Sequence, residues 1–148
     1  AGQIPVYRES AEAKAAIRDA LAALDRGECV VVYPEGTITR DPDLWPMTAK
    51  SGAVRLALIS GRPLFPMVQW GSHLIIGPYR KEFKLLPRKR ITVVVGPEID
   101  LTDLRERPLD GDTISAASTR LMDAMTALEA GIRGEEPPAE RTVYRRDG

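Results

Sequence analysis

Apolar residues recur at helical spacing in several stretches of the chain, and a glycine closes each stretch. The first stretch predicts a helix over residues 11 to 26, with Ser10 as its cap and Gly27 as its stop. A second helix is predicted over residues 51 to 61. The longest begins at Asp112, which is a suitable capping residue. Its apolar face comprises Ile114, Ala117, Leu121, Ala124 and Leu128.

Short apolar runs lie between the predicted helices. Residues 29 to 33 predict a buried strand that leads into a turn at residues 34 to 37. Residues 64 to 70 and 91 to 95 predict further strands. Because strands alternate with helices of crossover length, the predicted fold class is α/β, with a mixed, largely parallel central sheet flanked by helices. Ligands of such sheets bind beyond the carboxyl ends of the strands.

The composition is that of a globular domain, with 43% hydrophobic and 28% charged residues. The 21 basic and 21 acidic residues cancel, so an electrostatic partner must be met by a local patch. The single cysteine, Cys29, excludes a disulfide within the chain, and its apolar neighbours predict a buried structural thiol. Residues 1 to 134 are predicted to form the domain. The polar, proline-bearing residues 135 to 148 are predicted to be disordered.

The richest chemistry lies in residues 33 to 40, which read Tyr-Pro-Glu-Gly-Thr-Ile-Thr-Arg. Gly36 lets the backbone approach an anion closely, while Thr37 and Arg40 can donate hydrogen bonds to its oxygens. Glu35 would then accept a hydrogen bond from a substrate hydroxyl. Such residues also make ordinary loops, so the segment alone predicts either an anion site or a structural turn. We call residues 33 to 37 the Glu-Gly turn.

Several segments of the chain resemble, in the same order along the sequence, the motifs of lysophosphatidic acid acyltransferases and their glycerol-3-phosphate acyltransferase relatives. Residues 2 to 8 are similar to the second motif, which ends in arginine, and residues 33 to 37 to the third, usually Phe-Pro-Glu-Gly-Thr. Residues 65 to 68 resemble the fourth motif, and residues 50 to 53 resemble the connecting Lys-x-Gly-Ala helix. The resemblance covers about residues 2 to 100, its most specific part is the third motif, and residues 70 to 104 are actinobacterial-like.

The resemblance implies a site that holds the phosphate of a glycerolipid acceptor. Its predicted residues are Arg8, Glu35, Gly36, Thr37, Arg40 and Lys50. The segment implied on the acyl-donor side comprises Pro66, Met67 and Val68. Arginine grips phosphate bidentately, and Glu35 could alternatively orient Arg8 or Lys50. Acyl-CoA would be the co-substrate, with no metal and no cofactor expected.

The chain departs from the family at the first motif, a histidine followed five positions later by aspartate, which supplies the general base. The only histidine is His73, and Pro78 stands where the aspartate would be. Because His73 also follows the fourth motif, we interpret it as a loop histidine. The resemblance therefore predicts a glycerolphosphate-acyltransferase-like fold that is N-terminally incomplete, with no catalytic residue in this chain. The first motif is expected either upstream or not at all.

A basic cluster follows the fourth motif. Its cations are Arg80, Lys81, Lys84, Arg88, Lys89 and Arg90. The interspersed apolar residues are Tyr79, Phe83, Leu85 and Leu86. This amphipathic segment is either a solvated loop or a surface for anionic lipid headgroups or the phosphates of coenzyme A. Nucleic acid is disfavoured, since this is the only basic patch.

The resemblance implies an enzyme at the cytoplasmic face of the membrane, peripheral or anchored by parts outside this chain. It would transfer a fatty acyl group from acyl-CoA or an acyl carrier to the hydroxyl of a lysophosphatidic-acid-like acceptor in phospholipid biosynthesis. One alternative is a noncatalytic module that binds lipid phosphate. Another is an acyltransferase for glycerol 3-phosphate, a different lysophospholipid or a glycolipid, since the motifs recognise only a polar head.

Overall fold

The computed structural model describes residues 2–4, 10–79 and 83–143 of the 148-residue chain. The longer elements are helix α1 (Ser10–Asp25), helix α2 (Gly52–Ser60) and helix α4 (Gly111–Arg133). Strands β1 (Met67–Trp70) and β2 (Thr92–Val95) and the short helix α3 (Thr102–Arg105) lie between α2 and α4. Among the described helices, none combines the length and the apolar character needed to traverse a bilayer.

The helices agree with the predicted periodicity and differ at the ends. α2 ends at Gly61, as predicted, and the amide of that residue donates to the carbonyl of Ala57 at 3.1 Å. The cap of α4 is Asp110 rather than Asp112, because the carboxylate of Asp110 accepts the amide of Thr113 at 2.9 Å. That contact satisfies a backbone donor that the first helical turn leaves unpaired.

The two strands form an antiparallel sheet in which Met67 pairs with Val95 and Trp70 pairs with Thr92. Both strands were predicted, with bounds a few residues wider. The only sheet in the described residues is antiparallel, so the predicted parallel pairing is not found there. The broader α/β assignment stays a prediction. On β1, Val68 is buried against α4 while Met67 faces outward, as alternation along a strand requires.

The prediction of a buried strand at residues 29 to 33 is wrong. These residues form no strand, and the exposed fractions of Val31 and Tyr33 are 62% and 81%. Cys29 is exposed as well, which corrects its interpretation as a buried thiol. The β-branched run has no neighbouring strand among the described residues, and a run of this composition needs such a neighbour to pair its backbone.

The core lies between α2, α4 and the segment that carries α3. Its buried cluster comprises Ala53, Val54, Ala57, Ile99, Leu101, Leu104, Ile114, Ala117 and Leu121. Leu101 and Leu104 are almost fully enclosed, and burial of a leucine of this kind contributes about 1.5–3 kcal/mol. α1 packs on α2, and the described residues of α1 that are buried are Ala16, Ala20 and Ala23.

The last turn of α4 is held by the arginine at its end. The guanidinium of Arg133 lies between the rings of Trp45 and Trp70, 3.9 and 4.5 Å from their centroids. It also pairs with Glu129 at 3.2 Å and donates to the carbonyl of Asp43 at 2.9 Å. The Arg133 and Glu129 side chains are only 7% and 9% exposed. We call this arrangement the Arg133 clamp, and it joins α4 to β1 and to residues 39 to 48, the supporting loop.

The segment after α4, predicted to be disordered, is described as far as Val143 and lies along the supporting loop. The hydroxyl of Thr142 donates to the buried carboxylate of Asp41, and its carbonyl accepts the amide of Thr48 at 3.1 Å. Arg141 donates to Asp123 on α4 at 2.8 Å. Contacts to both the loop and the helix therefore fasten this segment.

We expect Arg133→Ala to lower the free energy of unfolding by about 3 kcal/mol, because the buried carboxylate of Glu129 loses its partner. Trp45 and Trp70 are the only tryptophans, so intrinsic fluorescence reports directly on the clamp during urea unfolding. Arg107→Ala is the matched control. It breaks an exposed arginine–carboxylate pair, with Asp103 four residues earlier, and should cost less than about 1 kcal/mol. Equal losses in the two variants would contradict the clamp.

Candidate functional site

Backbone hydrogen bonds hold the Glu-Gly turn against the residues that precede α2. The amide of Gly36 donates to the carbonyl of Tyr33 at 3.1 Å, which closes the turn. The amide of Lys50 donates to the carbonyl of Pro34 at 2.8 Å. The structure thus brings together three of the predicted site residues: Glu35, Gly36 and Lys50.

Glu35 occupies the inner side of the turn, where its carboxylate accepts the amide of Met47 at 3.3 Å. Burial raises the pKa of Glu35 above its ordinary value. The hydrogen bond from the Met47 amide and the charge of Arg141 lower this pKa, whereas the charge of Asp41 raises it further. A carboxyl group with a raised pKa binds a proton more tightly, and it is also a better hydrogen-bond acceptor when ionised. These properties suit a group that engages a hydroxyl.

Gly36 lies beside the side chain of Lys50. Its φ is +64°, a left-handed conformation that side chains other than glycine adopt at a cost. A β-carbon at this position would lie 3.2 Å from both Cδ and Nζ of Lys50. The absent side chain therefore leaves room for the Lys50 side chain directly against the turn.

The supporting loop is organised by Asp41, which is 8% exposed. One of its carboxylate oxygens accepts the amides of Asp43 and Trp45 at 3.0 and 3.1 Å. The hydroxyl of Thr39 donates to the carbonyl of Trp45 at 3.0 Å. These bonds fix the course of the chain toward Met47, whose amide reaches Glu35.

The other predicted acceptor residues are less directly engaged. Thr37 is half-buried, and Arg40 is exposed while its backbone amide contacts the sulfur of Met47 at 3.2 Å. Arg8 lies outside the described residues, so its predicted contact with the turn stays a prediction. In the structure, the candidate site is centred on Glu35, Gly36 and Lys50.

The segment predicted on the acyl-donor side divides between core and surface. Pro66 is fully buried and Val68 is 5% exposed, and both lie on the side of the sheet covered by α4. Met67 points outward and is 42% exposed. Within this segment, only Met67 therefore offers a described side chain to a ligand, while its neighbours hold β1 in place.

His73 lies in a short 3-10 turn after β1, as a loop histidine, with its ring 4.4 Å from that of Trp70. Burial, aided by the charge of Arg133, holds the pKa of His73 below its usual range. Across the described parts of the chain, no group of three or more His, Cys, Asp or Glu side chains is placed to hold a metal ion.

Sequence reasoning missed the residues that support the site. Asp41 could have been found, because Asp-Pro-Asp is a strong turn signal whose first side chain commonly accepts backbone amides. Met47, Arg133 and Thr142 carried no such signal. Their roles depend on contacts between segments far apart in the chain.

We expect Gly36→Ala to destabilise the fold by about 1–2 kcal/mol through its left-handed backbone and to displace the Lys50 side chain as well. Gly27→Ala is the matched control, because Gly27 is also left-handed, at φ +78°, and has no neighbour within 4 Å of a β-carbon. Urea unfolding gives the two losses. If Gly36→Ala lowers the free energy of unfolding no more than Gly27→Ala does, the position of the Lys50 side chain does not require a glycine at residue 36.

The raised pKa of Glu35 predicts a pH dependence of stability. The carboxyl group favours the fold fully below its unfolded pKa of about 4.3, and this contribution is lost as the pH rises through the folded pKa. Glu35→Gln removes the partly desolvated charge and keeps an oxygen for the Met47 amide. We therefore expect this variant to be more stable than wild type at pH 7, with a difference that vanishes near pH 4.

Glu28→Gln is the control for this measurement. A hydrogen bond from Arg26 lowers the pKa of Glu28, so its charge favours the fold and its removal should have the opposite sign at pH 7. Urea unfolding at both pH values decides. A Glu35→Gln variant less stable than wild type at pH 7 would contradict the assignment of a desolvated carboxylate.

Comparisons with known proteins bear on the same part of the chain. Neither the curated proteins nor the solved structures gave a match. Residues 1–70 match the sequence model of the Acyltransferase family, a range that contains the Glu-Gly turn, Lys50 and all of β1. This match supports the acyltransferase superfamily and an O-acyltransferase type of enzyme in general terms.

Proposed function

We propose that the chain forms the acceptor-binding part of an O-acyltransferase acting on a lysophosphatidic-acid-like lipid, with acyl-CoA as the donor. The acceptor phosphate would be bound by Lys50 and Arg40, together with Arg8. Glu35 would accept a hydrogen bond from the glycerol. Such placement fixes the hydroxyl near the thioester and converts a bimolecular encounter into an oriented one.

The reaction exchanges one ester for another. The acceptor hydroxyl oxygen attacks the thioester carbonyl carbon, a carbon–oxygen bond forms and the carbon–sulfur bond breaks. A general base takes the hydroxyl proton, and a proton returns to the departing thiolate. His73 lies against Trp70 with a lowered pKa, and proline rather than aspartate stands five positions after it, so His73 is not proposed as this base.

The observation that carries this proposal is the juxtaposition of Glu35, Gly36 and Lys50. The half-buried carboxylate of Glu35 accepts the amide of Met47, and the Lys50 side chain lies against Gly36, so the two sides of this turn can offer an acceptor to a hydroxyl and a cation to a phosphate. The family match over residues 1–70 includes all three and supports acyl transfer in general terms.

The alternative is a noncatalytic module that binds lipid phosphate. One observation favours it: the chain contains no histidine followed five positions later by aspartate, since His73 is its only histidine. The same Lys50 and Glu35 geometry would serve recognition without chemistry. Acceptors with the same polar head, such as glycerol 3-phosphate or another lysophospholipid, fit the site equally.

We expect this chain to bind glycerol 3-phosphate and Lys50→Gln to weaken the binding about tenfold, because one charge-assisted phosphate contact is lost. Lys50 is exposed, so the substitution should leave the fold intact. Arg18→Gln, which removes an exposed charge on α1, is the control and should bind as wild type. Titration calorimetry measures both, and equal affinities for the Lys50 variant and wild type would refute the site.

Catalysis is tested separately on the full-length protein, as lysophosphatidic-acid-dependent release of thiol from acyl-CoA. Transfer that is strongly reduced by Glu35→Ala or Arg8→Ala supports the enzyme. Binding of glycerol 3-phosphate without any transfer would instead establish the noncatalytic module.

A further inference from the structure

The segment from Leu74 to Arg90 leaves β1 and returns to β2, and it displays an unusual number of apolar side chains. Ile76 bridges to Phe83, and the amide of Lys84 donates to the carbonyl of Ile75 at 2.7 Å. We call residues 74 to 90 the amphipathic loop, of which residues 80 to 82 lie outside the described part.

Several large apolar side chains of this loop face solvent. The exposed fractions are 66% for Tyr79, 63% for Phe83, 59% for Leu85 and 84% for Leu86. Scattered single leucines are normal on a protein surface, but a contiguous group of large apolar residues marks an interaction site. Leu86 is the most exposed of the large hydrophobic residues in the described chain.

Cations border these apolar side chains. Lys84, Arg88 and Arg90 are exposed and Lys89 is half-buried. The sequence between Gly71 and Pro97 contains a single acidic residue, Glu82, so the loop is strongly positive within a chain of zero net charge. A surface that is both apolar and positively charged is complementary to a bilayer interface bearing anionic headgroups.

A cavity of about 400 Å³ lies at the base of the loop, with Leu44 and Ile75 on its apolar wall. Lys84 and Lys89 also line it. This open depression therefore combines apolar residues with two lysines. The other side of the loop contacts the candidate site, since the hydroxyl of Tyr79 donates to the carbonyl of Ile38 at 3.2 Å.

We propose that the amphipathic loop docks this chain on anionic membranes, with Phe83, Leu85 and Leu86 inserted below the headgroups. Lys84, Arg88, Lys89 and Arg90 then contact lipid phosphates at the same level. Because Tyr79 links the loop to the residue after the Glu-Gly turn, docking brings the site to the bilayer surface. The inference deepens the proposed function, and it is measured independently of acceptor binding.

Sedimentation with vesicles tests the proposal, using phosphatidylcholine alone or mixed with phosphatidylglycerol. Wild type should bind the mixed vesicles preferentially. Leu86→Ser should lower the partition coefficient about tenfold, and each of Arg88→Gln and Lys89→Gln about fivefold. Leu109→Ser and Arg18→Gln are matched controls, exposed residues away from the loop that should bind as wild type.

Ionic strength separates insertion from simple charge attraction. At high salt the effect of the cation variants should shrink, because headgroup charges are screened, while the effect of Leu86→Ser should persist. Binding that disappears entirely at high salt, or that ignores Leu86, would overturn insertion. Displacement from vesicles by free glycerol 3-phosphate, or equal binding to phosphatidylcholine alone, would overturn docking on anionic lipid.

The two proposals fail separately. Loop variants should bind soluble glycerol 3-phosphate as wild type does, and Lys50→Gln should sediment with vesicles as wild type does. Loss of both properties in one variant, with an unchanged circular dichroism spectrum, would show a single shared anion site and would refute the loop as a distinct docking surface.

Discussion

The stacking of the Arg133 guanidinium between Trp45 and Trp70 is the contact on which the arrangement of the site depends. A planar cation can satisfy two aromatic faces, a buried carboxylate and a backbone carbonyl at once, which an ammonium group cannot. It ties the end of α4 to β1 and to the supporting loop. That loop in turn delivers the amide of Met47 to Glu35, so the position of the carboxylate is set by a residue almost a hundred positions away.

Charges of opposite sign coexist at the site because each is placed in a different environment. The carboxyl group of Glu35 is half-buried and its pKa is raised by desolvation, whereas the Lys50 side chain runs along the exposed face of the turn. The backbone hydrogen bond from the Lys50 amide to the Pro34 carbonyl joins the two segments that carry these side chains. In the proposed site, the carboxylate would face a hydroxyl and the ammonium group an anion.

The sequence predicted the helices and strands that are indicated by a short stretch of the chain alone. Helical periodicity and closing glycines located α1, α2 and α4, and short apolar runs located β1 and β2. Residues 29 to 33 carry the same strand signal and form no strand, since strand formation depends on a partner that composition does not reveal. At the site, Glu35, Gly36 and Lys50 were predicted together. The clamp and the Thr142 contact were not, because both join segments distant in sequence.

The packing of α4 bears on where this unit can be divided. Residues 1–70 match the family, yet the inner face of α2 is covered by Ile114, Ala117 and Leu121 of α4. A fragment cut after Trp70 would present Val54 and Ala57 to water and would lose the partner of both tryptophans. The end of the family match at residue 70 is thus not the end of the cooperative folding unit. The unit to express, label or graft onto another scaffold extends through the end of α4.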